Sequence, residues 1–138
     1  MDASGRQTWV RAALLVGVVY FLIGRVFALP SDHVRGWRLA AWIVSGVVYA
    51  AHIGYEHFRL NNSPRATALH AAMAVAVGAF LLAVAATAHA VMVPSHAPYW
   101  RFLLALAVWP IVTALPAFIF ALPVAAVLAR LPTKRLAE

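Results

Sequence analysis

The feature that most constrains this chain is a series of apolar runs that are too long for ordinary core helices. A helix that crosses a hydrocarbon core of roughly 30 Å needs about 20 mostly apolar residues. Four segments meet or approach that length in a chain of which 64% is hydrophobic and 11% charged. The sequence therefore predicts an all-α, polytopic membrane protein with helices near residues 9–29, 34–58, 66–93 and 100–130.

The connections between these segments are short and rich in residues that end helices: PSDH (30–33), NNSPR (61–65) and VPSHAP (93–98). Short loops favour antiparallel packing of sequential helices, so we expect one up-down-up-down bundle. Residues 1–138 are predicted to form a single integral membrane domain. Because the chain has no cysteine, disulfides and thiolate metal sites are excluded.

Basic residues indicate the orientation in the membrane. Of the 11 lysines and arginines, seven lie on the side that holds both termini and the 61–65 connection, which leaves 11 − 7 = 4 on the other side. The positive-inside rule therefore predicts a multi-pass protein of the cell membrane with both termini in the cytoplasm. The net charge of +7 then reflects contact with anionic lipid headgroups of the bilayer rather than with nucleic acid.

The second predicted helix ends in the stretch AHIGYEHFRL (51–60), which combines two histidines with a glutamate. A polar stripe follows one helix face within about 60°, since successive residues are 100° apart. Unsatisfied polar groups are costly in hydrocarbon, so this stripe should face the bundle. It consists of Ser45, Tyr49, His52 and Glu56.

The third predicted helix returns through the same leaflet. Counting outward from the 61–65 turn places His70 at nearly the depth of His52, with Thr67 one turn nearer the surface. We therefore expect His52, Glu56 and His70 to meet.

Three interpretations of this cluster stay open. The first is polar contact between helices, with Glu56 reaching the surface beside Arg59. The second is an ion or proton site. In the third, His52 and His70 bind a haem from both faces, or a divalent metal, as in a haem b or metal-binding redox protein. Small residues on both helices leave room for such a cofactor: Gly46, Ala50, Ala51, Gly54, Ala71, Ala72 and Ala74.

A second polar group is expected on the opposite side of the membrane. Loop histidines are usually solvated, yet these residues can converge at the outer mouth of the bundle. The group comprises Asp32, His33, His89 and His96.

The fourth predicted helix contains three prolines, Pro110, Pro116 and Pro123. Each proline removes a backbone donor, so we predict a proline-kinked helix. The kinks either curve the helix around its neighbours or act as hinges whose freed carbonyls, with Thr113 nearby, line a pathway.

Motifs for phosphate binding, zinc hydrolysis and nucleophilic catalysis are missing from the sequence, and only four residues are acidic. A non-enzymatic role is therefore favoured. The leading hypothesis is a small transporter or channel-like protein, or an accessory subunit of a membrane complex. Because so small a bundle encloses little volume, a pore would form between protomers of a homo-oligomer.

Overall fold

The computed structural model describes residues 3–29, 32–93 and 98–131, with only the backbone described for 3–6. Four α-helices make up an all-helical bundle: α1 (Ala3–Val26), α2 (Val34–Phe58), α3 (Pro64–Met92) and α4 (Tyr99–Leu128). The all-helical part of the predicted fold class, with four helices and no strand among these described residues, is confirmed. Only α1 departs markedly from its predicted bounds, since it begins six residues earlier than position 9 and ends three before 29.

The centre of the bundle is α3, which packs extensively against both α1 and α4. Its buried positions are almost all small, and small residues let helix backbones approach closely. We expected sequential helices to be antiparallel neighbours. The most extensive packing joins α3 to α4, which are sequential, and α1 to α3, which are not, whereas α2 packs less on either of its chain neighbours. The small buried residues of α3 include Ala68, Ala71, Ala72, Ala74, Gly78, Ala79 and Ala83.

Two glycines explain why α1 prefers α3. A Cβ added at Gly17 would lie 2.5 Å from Cγ1 of Val77, and one at Gly78 would lie 2.6 Å from Cβ of Tyr20. Gly24 likewise faces Leu82 further along both helices. Later residues of α1 contact later residues of α3, so the two helices run in the same direction.

The carboxyl-terminal half of α2 packs into the bundle, whereas its amino-terminal half does not. Ile53 is 2% exposed and contacts a small apolar core with Ala68, Ala71 and Ala121. Towards the other end, the Trp42 side chain is 77% exposed and a Cβ at Gly46 would meet nothing within 4 Å.

Three of the four helices are long and apolar enough to span a membrane, namely Gln7–Val26 within α1, together with α3 and α4. Among the described residues, α2 is not one of these candidates, so its predicted crossing of the membrane stays a prediction. The reason lies in its composition, since two arginines near its start and a histidine and glutamate near its end shorten its apolar stretch.

Helix α4 runs without interruption from Tyr99 to Leu128 through all three prolines. The hydroxyl of Thr113 donates to the carbonyls of Trp109 and Pro110, at 2.9 and 3.1 Å. Because the Thr113 hydroxyl bonds within its own helix, these contacts give no support to its expected place along a pathway.

Candidate functional site

A tight turn brings the end of α2 against the start of α3. Asn61 adopts a left-handed conformation with φ of 50°, which asparagine tolerates better than most residues. Ser63 then caps α3 by accepting a hydrogen bond from the Ala66 amide, and Pro64 occupies the first turn. The last turn of α2 therefore lies beside the first turns of α3.

Glu56 is the centre of the site and is fully buried, with 0% exposure. Its Oε2 lies 2.8 Å from Nδ1 of His70 and also accepts a hydrogen bond from the Asn62 side-chain amide. Its Oε1 lies 3.5 Å from Nε2 of His52, within reach of an ion pair but without a hydrogen bond. One carboxylate therefore joins α2, the connecting turn and α3.

Helix α1 contributes Trp9, whose ring stacks on the imidazole of His70. The two ring centroids are 4.2 Å apart and the planes differ by 1°. The indole covers one face of His70 while Glu56 holds its edge, so the plane and direction of the imidazole are both fixed. We define the Glu56 cluster as the residues Trp9, His52, Glu56, Asn62, Thr67 and His70.

Several polar atoms of the Glu56 cluster are buried without a hydrogen-bond partner among the described residues. They are both ring nitrogens of His52, Oε1 of Glu56, the hydroxyl of Thr67 and Nε1 of Trp9. Buried polar groups are normally paired, and each exception asks for an explanation such as a functional role. The cluster therefore has free capacity to accept and donate hydrogen bonds beyond those that hold it together.

The remaining residues of the predicted stripe lie on the same side of α2. Tyr49 is half-buried, and its hydroxyl donates to the carbonyl of Ala117 on α4. Ser45, one turn further, is also half-buried. His57 lies apart from the cluster, with its ring edge against Phe58. The structure thus brings His52, Glu56 and His70 together, with Thr67 buried one turn before His70 on α3, and the Tyr49 hydroxyl bonds to α4.

The predicted outer group lies at the surface where it is described. Asp32, His33 and His89 are exposed, and His96 lies outside the described residues. His33 precedes α2 in a left-handed conformation with φ of 54°. Within the described parts of the chain, neither this group nor the Glu56 cluster forms a set of three or more residues that could hold a metal ion.

A haem does not fit between the two buried histidines. Both imidazoles approach the same carboxylate, and His52 is only 3% exposed, so no space for a macrocycle borders its ring. One face of His70 is already covered by Trp9. The small residues that were expected to make room do not open a gap here, because Ala71, Ala72 and Ala74 are packed against other helices.

Two members of the cluster were not among the predicted site residues, Trp9 and Asn62. The spacing of Trp9, Ala13, Gly17 and Tyr20 places them along one side of α1, which is a signal that the tryptophan faces α3. Asn62 gave no comparable signal, because an asparagine in a turn is ordinary.

Comparisons with known proteins give no relative from which a role could be transferred: no family model matches the chain, and no curated protein or solved structure is significantly similar to it.

Proposed function

We propose that this chain is an integral membrane protein of the transporter or channel-like class that passes protons, with Glu56 as the carboxylate that takes up and releases them. In this proposal all four helices cross the bilayer in alternating directions and both termini are cytoplasmic. The observation that carries it is a fully buried carboxylate held between two imidazoles, in a bundle with three helices apolar enough to span a membrane.

The chemistry of the Glu56 cluster favours protons over other cargo. Carboxylates and imidazoles exchange protons, and chains of such groups within membranes mark proton relays. The carboxylate has one oxygen fixed by His70 and Asn62, while the other lies free beside His52. A proton can therefore move onto the free oxygen without disturbing the contacts that position the side chain.

The polar stripe of α2 extends this site along the helix, through Tyr49 and then Ser45. The exposed His33 and His89 belong to the far end of the proposed path, and Asp32 lies outside it. The amino-terminal half of α2 packs on little within one chain, so we place the path between protomers of a homo-oligomer. In that arrangement α2 crosses the membrane with part of its surface covered by the neighbouring protomer instead of lipid, which suits its lower apolar content.

A second candidate is an accessory subunit of a larger membrane complex. It is favoured by the 77% exposure of Trp42 in that same half of α2, because a large aromatic ring there would be covered by another membrane protein. A photo-crosslinking residue at position 42 separates the two, since it captures a second copy in the first case and a different protein in the other.

The test is proton flux into vesicles that carry the purified full-length chain and a trapped pH-sensitive dye, driven by a potassium diffusion potential. The Glu56→Gln variant keeps the size of the side chain and removes its acid, so flux should be lost. Asp32→Asn is the matched control, because it makes the same change at an exposed carboxylate. Equal flux through vesicles with and without the wild-type chain would refute the proposal.

A further inference from the structure

A crevice of about 270 Å³ separates the end of α1 from the start of α2. The helices meet there through Phe27 and Trp37, whose rings are 5.8 Å apart at 63°, and otherwise make few contacts. The chain leaves α1 through a short turn in which the amides of Ala28 and Leu29 donate back to the last helical turn. The lining residues are Gly24, Phe27, Ala28, Val34, Arg38 and Ala41.

The side chains that line this crevice are apolar except for that of Arg38, a cation in the second turn of α2. Arg25 and Arg35 are exposed and adjoin lining residues in the chain. None of these three arginines forms an ion pair with any residue in the described ranges, where both ion pairs involve Glu56. The crevice therefore combines an apolar slot with positive charge that the described chain does not neutralise.

We infer that this crevice binds one anionic phospholipid, with an acyl chain in the slot and the phosphate at Arg38. The inference rests on the membrane location in the proposed function, but it does not depend on proton transfer at Glu56. Arg38 lies beside Trp37, and aromatic side chains of this type favour the headgroup level of a bilayer. An arginine at that level pairs with phosphate through its planar, five-donor guanidinium.

The cation and the apolar slot of the site can be eliminated one at a time. Arg38→Gln removes the cation and leaves the slot, whereas Ala41→Phe fills the slot and leaves the cation. Arg101→Gln is the matched control, since Arg101 is an exposed arginine at the start of α4 and does not line the crevice. Resistance of each variant to alkaline extraction from vesicles verifies that it is still embedded in the membrane.

The experiment presents the full-length chain in detergent with equal amounts of phosphatidylglycerol and phosphatidylcholine of the same chain length, and native mass spectrometry counts the bound lipids. Wild type and Arg101→Gln should retain one phosphatidylglycerol. The preference over phosphatidylcholine should fall by about fivefold in Arg38→Gln, as expected for one cation near a membrane surface. Ala41→Phe should lose the bound lipid altogether.

Three results would overturn the inference. If Arg38→Gln and Arg101→Gln lose the preference for phosphatidylglycerol equally, the attraction is diffuse. If wild type retains the two lipids equally, the slot is filled by apolar contact alone. If Ala41→Phe retains the lipid, the lipid binds elsewhere on the protein. If the chain conducts no protons, the lipid count is unaffected and only the proposed function fails. If alkali releases the wild-type chain from vesicles, the chain is not embedded in the membrane and both proposals fail.

Discussion

Close contact between α1 and α3 predicts that Gly17→Ala destabilises the bundle. The added Cβ would lie 2.5 and 2.7 Å from two carbons of Val77 and 3.0 Å from the carbonyl oxygen of Ala74. Carbon atoms pack best at about 3.5 to 4.0 Å, so the helices must move apart by roughly 1 Å. Such overpacking typically costs about 1 to 3 kcal/mol in the free energy of unfolding.

Gly46→Ala is the matched control, because a Cβ there meets nothing within 4 Å. Both variants gain the same helix propensity, about 1 kcal/mol, so the difference between them isolates the packing term. We expect Gly17→Ala to be less stable than Gly46→Ala by about 1 to 3 kcal/mol. Unfolding by sodium dodecyl sulfate in mixed micelles, followed by tryptophan fluorescence, measures this difference. Equal stability of the two variants would refute the close approach of α1 to α3.

Two further predictions concern the contacts that hold α2 and α1 in place. Tyr49→Phe removes the hydroxyl that donates to the carbonyl of Ala117. The free energy of unfolding, measured in the same micelle titration, should fall by about 0.6 to 2 kcal/mol. An unchanged value would indicate that this bond adds nothing to stability. In protein labelled with 5-fluorotryptophan, the ¹⁹F resonance of Trp9 should shift in His70→Ala and stay in place in His57→Ala. Equal shifts in the two variants would contradict the stack of Trp9 on His70.

The sequence predicted the helices well because apolar runs and helix-ending turns are local features. The NNSPR turn illustrates this, since its asparagine adopts the left-handed conformation and its serine caps the next helix. Once the turn is located, counting residues outward from it along both helices gives the relative depth of their side chains. For that reason the sequence alone was enough to predict that His70 lies near His52 and Glu56.

The packing order could not be obtained in the same way. Which helix lies at the centre depends on how closely backbones approach, and the contacts of Gly17 and Gly78 that decide it are distant in the chain. Short loops suggested that sequential helices are antiparallel neighbours, but a loop limits only how far apart two helices can lie. The glycine contacts then favour α3 as the main partner of α1.

The predicted kinks of α4 illustrate a different limit. A proline removes one hydrogen bond and crowds one carbonyl, but a helix can absorb these effects through local adjustment and side-chain bonds. Helix α4 continues from Tyr99 to Leu128 through all three prolines, and its kinks stay a prediction. Proline positions alone therefore do not tell a hinge from a continuous helix.

The central claim is that the proton passes through Glu56. Its most direct test is the ratio of proton flux between Glu56→Gln and Asp32→Asn in vesicles that carry equal amounts of inserted protein. Removing a positioned acid from a proton-transfer step typically costs 10²- to 10⁴-fold, so Asp32→Asn should conduct at close to the wild-type rate and Glu56→Gln at least about 100-fold more slowly. Equal fluxes through the two variants would contradict the claim.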